Sequence, residues 1–170
     1  MKQSQIILLI IVSVRCYSQD TINWSPCYHL KYGDFQGKPD TTKIDLANSY
    51  IQIDYTYNVV NNQIQFKVNC YFFKKLSWAK YNMLTLMEHE QGHFDIAKLF
   101  ALKLEQRFRD YQVASRANTD LQAIYKNIVA DRLATDNLFD AKIRGAKNDG
   151  PQKAFIDSIR KQIPHCIKND

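Results

Sequence analysis

Three residues within a window of five could carry chemistry in this sequence. Residues 89–93 read His-Glu-Gln-Gly-His, inside an apolar, helix-forming run from 84 to 97. On an α-helix, positions four residues apart share a face and lie about 6 Å apart along the axis, so His89 and His93 can point at one place. That arrangement is typical of a zinc site, where Glu90 would act as the general base for a metal-bound water.

The helix around this motif is predicted to have a wet face and a core face. The wet face would hold a stripe at three- and four-residue spacing: Glu88, Gln91, Asp95, Lys98, Leu102, Glu105 and Arg109. The core face would hold Leu86, Glu90, His93, Ala97, Phe100 and Leu104. A buried carboxylate and buried imidazoles need partners, which a metal supplies. The alternative is a pair of core histidines that hydrogen-bond to the backbone.

Three blocks occur in a fixed order along the chain. They are residues 24–39, which contain Asp-Phe-Gln-Gly-Lys-Pro at 34–39, then Ser77-Trp78, and then His-Glu-Gln-Gly-His-Phe-Asp at 89–95. Together they resemble a family of small secreted bacterial proteins, named only as a domain of unknown function, whose members are described as candidate zinc-dependent proteases. The resemblance covers about residues 24–163 and implies a zincin-like domain.

The resemblance also bears on the third zinc ligand, which catalytic sites normally require. The family tends to carry a downstream block of the form Tyr-Asp-x-x-Thr-x-His-Gly, and its histidine is the natural candidate. In this chain the matching stretch is residues 139–145, where the aspartate is kept as Asp140 but the histidine position holds Gly145. Aspartate is an accepted zinc ligand, so we expect Asp140, one helical turn after Asp136, to be the third.

Other third ligands remain open on the sequence alone. His29 and His165 lie near the two ends of the chain, and the site could also lack a third ligand. Asp140 could instead be a surface carboxylate or orient a ligand histidine. The glutamate some twenty residues after the second histidine, found in other zincins, is absent because positions 111–118 contain no acid.

A β-hairpin is predicted upstream of the motif. Residues 51–57 alternate apolar with polar side chains, and residues 64–70 alternate again. Asn61-Asn62 lies between the two runs as a turn. The hairpin should therefore form a small antiparallel sheet that packs against the motif helix.

Three helices are predicted after the hairpin. With Ser77 as a candidate N-cap, the motif helix should begin between 78 and 82 and run to about Val113. A second helix is predicted at about 120–139 and a third at about 152–163. The expected fold class is thus α+β, with a small N-terminal sheet packed on a long motif helix and two further helices.

Residues 1–18 are predicted to be a signal peptide, followed by a single domain at 19–170. Lys2 supplies a positive start, residues 6–14 an apolar stretch, and Cys16-Tyr17-Ser18 the small residues of a cleavage site. The apolar stretch is too short to span a bilayer. We therefore expect a secreted or periplasmic protein without a stable membrane span, although Arg15 leaves open a retained N-terminal anchor.

Export would leave three cysteines, Cys27, Cys70 and Cys166. One disulfide and one spare thiol is the simplest arrangement in an oxidising compartment. The pairing is open, but chain ends are often close together, which favours Cys27 with Cys166.

The basic residues do not form a nucleic-acid surface. The 23 basic and 17 acidic residues give a formal charge of +6, spread along the chain without a dense cluster, so we expect no nucleic acid partner.

The predicted function is an exported zinc metallohydrolase, a peptidase acting on a peptide or protein. The alternative is a catalytically degenerate exported binding module that lacks a complete zinc site. Nothing in the sequence indicates an oligomeric state.

Overall fold

The chain folds with its strands first and its helices after them. The computed structural model describes residues 20–61, 63–114, 116–144 and 148–166, so the predicted signal peptide and Gly145 lie outside the described residues. The strands are β1 (Thr21–Asn23), β2 (Ala47–Asn48), β3 (Ile51–Val60), β4 (Gln63–Phe73) and β5 (Trp78–Ala79). The helices are α1 (Leu84–Arg109), α2 (Ala117–Ile143) and α3 (Gly150–Arg160). The predicted α+β class is confirmed.

The predicted hairpin is confirmed as β3 and β4. The two strands pair antiparallel from Ile51 opposite Phe72 to Val60 opposite Gln63, and β1 adds to the other edge of β4. Asn61 takes a positive φ of 50° at the turn, a conformation that asparagine tolerates well. A separate two-stranded ladder joins β2 to β5.

The hydrophobic core lies between the three-stranded sheet and α1. Ile53 and Phe72 on the sheet are buried, as are Phe94, Leu104 and Phe108 on the facing side of the helix. Helices α2 and α3 pack on α1 as well, which buries it along most of its length. Because burial of apolar area is the main favourable term in folding, α1 is the element that the remainder of the fold is built around.

Helix α1 begins later than the sequence suggested, because the short strand β5 and a connecting segment at 80–83 precede it. Trp78 and Ala79 form β5 instead of a first helical turn, and Met83 is the N-cap. Ser77 is therefore not the N-cap: its hydroxyl accepts a hydrogen bond from the Tyr50 amide and donates one to the Phe73 carbonyl, each 2.8 Å long.

The ends of all three helices also differ from the predicted positions. Helix α1 ends at Arg109 and not near Val113, and the hydroxyl of Tyr111 donates to Asp120 of α2 at 2.8 Å. Helix α2 is longer than predicted, at 117–143 instead of 120–139, so Asp140 is helical. Helix α3 starts two residues earlier than predicted and ends at 160 and not at 163. A proline lies in its first turn, where the backbone amide has no partner within the helix and its loss is tolerated.

Two residues assigned to the wet face of α1 are buried. Gln91 and Asp95 are each 3% exposed, so the solvent-facing prediction is wrong for both. The N-terminal segment covers them: Trp24 Nε1 donates to Asp95 at 2.9 Å, and the Leu30 amide donates to Gln91 at 2.9 Å. From the C-terminal side, Arg160 Nε donates to Asp95 at 2.9 Å. Both ends of the described chain are thus fixed to the motif helix.

A disulfide joins those ends. Cys27 bonds to Cys166 with a Cα–Cα distance of 4.8 Å, which confirms the favoured pairing. Cys70 is a free, buried cysteine of β4, and burial raises the pKa of its thiol to about 12. None of the helices in the described ranges is long and apolar enough to cross a membrane.

Candidate metal centre

Helix α1 and helix α2 bring the predicted ligands together. The Nε2 atoms of His89 and His93 lie 3.2 Å apart, one helical turn from each other on α1. Asp140 reaches them from α2, with its Oδ1 atom 3.1 Å from His93 Nε2 and 3.4 Å from His89 Nε2. The two histidine side chains are mostly buried, whereas that of Asp140 is 44% exposed.

These separations fit a metal ion. Zinc with metal–ligand bonds of about 2.0–2.1 Å and tetrahedral angles requires donor atoms about 3.3–3.4 Å apart. The three observed separations are 3.2, 3.1 and 3.4 Å. Two of them are thus slightly shorter than a tetrahedral zinc site requires, and the third agrees with it. Within the described part of the chain, His89, His93 and Asp140 form a group that could hold a metal ion.

A second carboxylate orients His93. Asp136 Oδ1 lies 2.9 Å from His93 Nδ1, so Nδ1 carries the proton of the neutral ring and Nε2 is the nitrogen available to a metal ion. Arg132 pairs with the other oxygen of Asp136 at 2.9 Å and donates to the Ile51 carbonyl at 3.0 Å. Arg132 was missed in the sequence, although 132, 136 and 140 share one face of α2 by their four-residue spacing.

His89 is held by packing. Its Nδ1 is buried without a hydrogen-bond partner among the described residues, and its ring stacks on Phe139 at a centroid distance of 5.0 Å. Gly92 permits this contact, because a Cβ there would lie 2.8 Å from Phe139 Cζ. Gly92 therefore allows α1 and the Phe139 ring to pack closely.

Glu90 lies beside the cluster without joining it. Its side chain is buried, with the residue only 4% exposed, and the Ser49 hydroxyl donates to its Oε2 at 2.5 Å. Ser49, which precedes β3, was not identified from the sequence, because no local pattern relates positions 49 and 90. Both residues line the same cleft as the histidines.

The cluster is electrostatically coupled. Burial by itself would lower the pKa of His93, but hydrogen bonds to Asp136 and Asp140 outweigh it and raise that pKa to about 9. Burial would likewise raise the pKa of Asp140, but the hydrogen bonds to His89 and His93 hold it well below its usual range. The metal-free site therefore favours a negative Asp140 beside a positive His93.

The cluster opens into a cleft of about 730 Å³. Its walls are the segment 45–49 around β2, the start of α1 and the C-terminal half of α2, where Arg144 follows the helix. The alternative ligands are elsewhere: His29 and His165 are exposed and line a separate cavity of about 140 Å³ beside the disulfide.

Comparison with known proteins gives one family. The model of the family described as "Bacterial protein of unknown function (DUF922)" matches residues 24–146. The match includes Ser49, the 89–93 motif and the ligand face of α2, and it ends before α3. Neither the curated proteins nor the solved structures include a match to this chain.

Proposed function

We propose that this chain, which belongs to the bacterial DUF922 family, is an exported zinc-dependent hydrolase that cleaves peptide bonds. One observation carries the proposal. Three donor atoms from His89, His93 and Asp140 stand at the separations of a tetrahedral metal site, and all three residues line an open cleft. The buried carboxylate of Glu90 lies in the same cleft and outside the ligand group.

The donor set favours zinc. Two imidazoles and one carboxylate suit zinc better than magnesium or calcium, which prefer oxygen ligands. Three protein ligands leave the open position that distinguishes catalytic from structural zinc sites. Zinc in such a site supplies a Lewis acid that acidifies water and polarises a carbonyl group.

The residues around the ligands can supply the proton transfers. Glu90 would take a proton from the attacking water and pass it to the leaving amine, and the Ser49 hydrogen bond fixes its carboxylate for that task. Asp136 would hold the His93 ring in position. Arg144 lines the cleft and is the cationic group we assign to the developing oxyanion.

The predicted signal peptide supports export, and so does the disulfide between Cys27 and Cys166, a bond that persists mainly outside the reducing cytosol. A peptide substrate is supported by the resemblance to zincins and by the open cleft.

Metal analysis and three variants test this function. Protein purified without added metal should contain close to one zinc per chain, and His93→Ala should lose it. Glu90→Gln should keep the zinc and lose at least about 100-fold in hydrolysis of a casein or peptide substrate. Glu88→Gln is the matched control, because Glu88 is on the same helix with a 43% exposed side chain that pairs with Arg160.

Two results would contradict the proposal. If Glu90→Gln cleaves as fast as the wild type, Glu90 is not the base. If the chain takes up no zinc under any loading condition, the binding module without a complete zinc site replaces the enzyme.

A further inference from the structure

We infer that the cleft selects extended peptides with a bulky uncharged apolar side chain, held along the free edge of β2 and against Leu133 of α2. Cleavage of such peptides rests on the function proposed above. Their binding rests on the zinc centre but not on hydrolysis, so binding and cleavage can fail separately.

The first observation is an apolar lining that is open to water. Leu46, Met83 and Leu133 are 45%, 47% and 59% exposed, and all three line the cleft. They come from three separate places in the chain: the residue before β2, the N-cap of α1 and the middle of α2. Single exposed leucines are ordinary, but large apolar side chains that converge on one cleft mark a binding surface.

The second observation is an unpaired strand edge. The Lys80 amide donates to the Leu46 carbonyl at 2.8 Å, and Ala47 stands opposite Ala79 in the β2–β5 ladder. Backbone groups of successive strand residues point to opposite sides. Since those of Leu46 face β5, the amide and carbonyl of Ala47 face away from β5. Among the residues that the structure describes, no second strand pairs with β2, so Ala47 offers one donor and one acceptor to an extended chain.

The third observation is the charge of the cleft. Its lining includes four carboxylates and two guanidinium groups: Asp45, Glu90, Asp136, Asp140, Arg132 and Arg144. The excess of two negative charges is what one divalent ion balances. A loaded cleft is then close to neutral, which matches an uncharged side chain better than an acidic or a basic one. The volume of about 730 Å³ accommodates several residues of such a peptide.

A binding experiment with zinc-loaded Glu90→Gln tests the selectivity without turnover. Three fluorescent decapeptides share one neutral sequence except for a central pair of leucines, lysines or aspartates, and fluorescence anisotropy gives each Kd. We expect the leucine peptide to bind roughly tenfold more tightly than the other two. Leu133→Asn should remove most of that preference.

Two further variants separate the side-chain contact from the backbone contact. Leu138→Asn is the matched control, since Leu138 is a 51% exposed leucine of the same helix outside the cleft lining; it should bind like the parent. Ala47→Pro removes the free amide without breaking the ladder to β5, so it should weaken all three peptides alike. Zinc content and circular dichroism should be the same in all variants.

Cleavage of the same peptides by the wild type then distinguishes the outcomes. Preferential binding together with faster cleavage of the leucine peptide supports both the inference and the proposed function. Preferential binding without cleavage supports the inference and contradicts a peptidase. Cleavage of all three peptides at equal rates, or a preference that Leu133→Asn leaves unchanged, overturns the inference while the hydrolase stands. No binding of any peptide also overturns it.

Discussion

At the scale of single residues, Asp136 orients one histidine of the candidate metal centre. It is not one of the three candidate ligands, but its carboxylate lies 2.9 Å from His93 Nδ1 and pairs in turn with Arg132 at 2.9 Å. Such partners fix both the tautomer and the ring orientation of a ligand histidine. The position of His93 Nε2 therefore depends on two residues of α2 that the motif does not include.

Replacement of Asp136 should weaken zinc binding without abolishing it. We expect Asp136→Asn to raise the Kd for zinc by about 10–100-fold, because the ring loses its charged acceptor. Competition with a chromophoric chelator measures the Kd. Asp131→Asn, an exposed aspartate of the same helix, is the control. Equal affinities for the two variants would show that Asp136 does not orient the ligand.

His93 also makes the stability of the metal-free protein depend on pH. Its pKa is raised from 6.5 to about 9 in the folded state. The added stability is therefore fully present below pH 6.5 and is lost as the pH rises through 9. We expect the free energy of unfolding in EDTA to fall by about 2–3 kcal/mol between pH 6.5 and 9.5.

Urea unfolding at several pH values measures this slope, and His93→Gln should remove it. With zinc present, the free energy of unfolding should instead rise with pH, because the metal needs the neutral ring and competes with protons for Nε2. A metal-free protein whose stability rises with pH over this interval would contradict the proposed coupling of His93 to its two carboxylates.

At the scale of elements, the sequence predicted the strands and helices whose side chains alternate with a regular local period. The hairpin was predictable because residues 51–57 and 64–70 each alternate with period two. The helical location of His89 and His93 was predictable for the same kind of reason. The burial of Gln91 and Asp95 was not, because the groups that cover them come from the two ends of the chain.

The residues of the candidate site also differ in whether the local sequence reveals them. His89, Glu90 and His93 are recognisable because one helix turn contains all three, and Asp140 could be named only through the resemblance to a family. The bond of Ser49 to Glu90 spans 41 positions and leaves no trace in local sequence. Spacing thus predicts the ligands on one element, but not the residues of other elements that hold them in position.

The contact between α1 and α2 at Gly92 gives an element-scale prediction. In an ordinary helix, glycine to alanine gains about 1 kcal/mol. Here the new Cβ would lie 2.8 Å from Phe139 Cζ and 3.1 Å from Ile156 Cγ1, so Gly92→Ala should instead destabilise by about 1–3 kcal/mol. Urea unfolding measures the change.

A double-mutant cycle identifies the cause. Phe139→Leu removes the ring that the new methyl group meets, so Gly92→Ala should cost less in that background, with a coupling above about 0.5 kcal/mol. Purely additive effects would show that the two residues do not determine the approach of the helices.

At the scale of the whole molecule, the disulfide closes almost the entire described chain on itself. It joins positions 139 residues apart, and the segments on either side of it contact Asp95 through Trp24 and Arg160. Cross-linking across so long a loop removes much of the freedom of the unfolded chain. The disulfide should thus stabilise the whole fold, including the helix that carries His89 and His93.

We expect the double variant Cys27→Ser, Cys166→Ser to lose about 2–5 kcal/mol of unfolding free energy. Urea unfolding of zinc-loaded and EDTA-treated samples should show the same loss, because the bond acts on the unfolded chain and not on the metal ligands. Cys70→Ala keeps the disulfide and is the control for a lost cysteine, although its cavity adds a small cost of its own.

A reductant should destabilise the wild type and Cys70→Ala but leave the double variant unchanged. If reduction changes none of the three, the bond does not stabilise the fold, and the hydrogen bonds of Trp24 and Arg160 to Asp95 hold the chain ends without it.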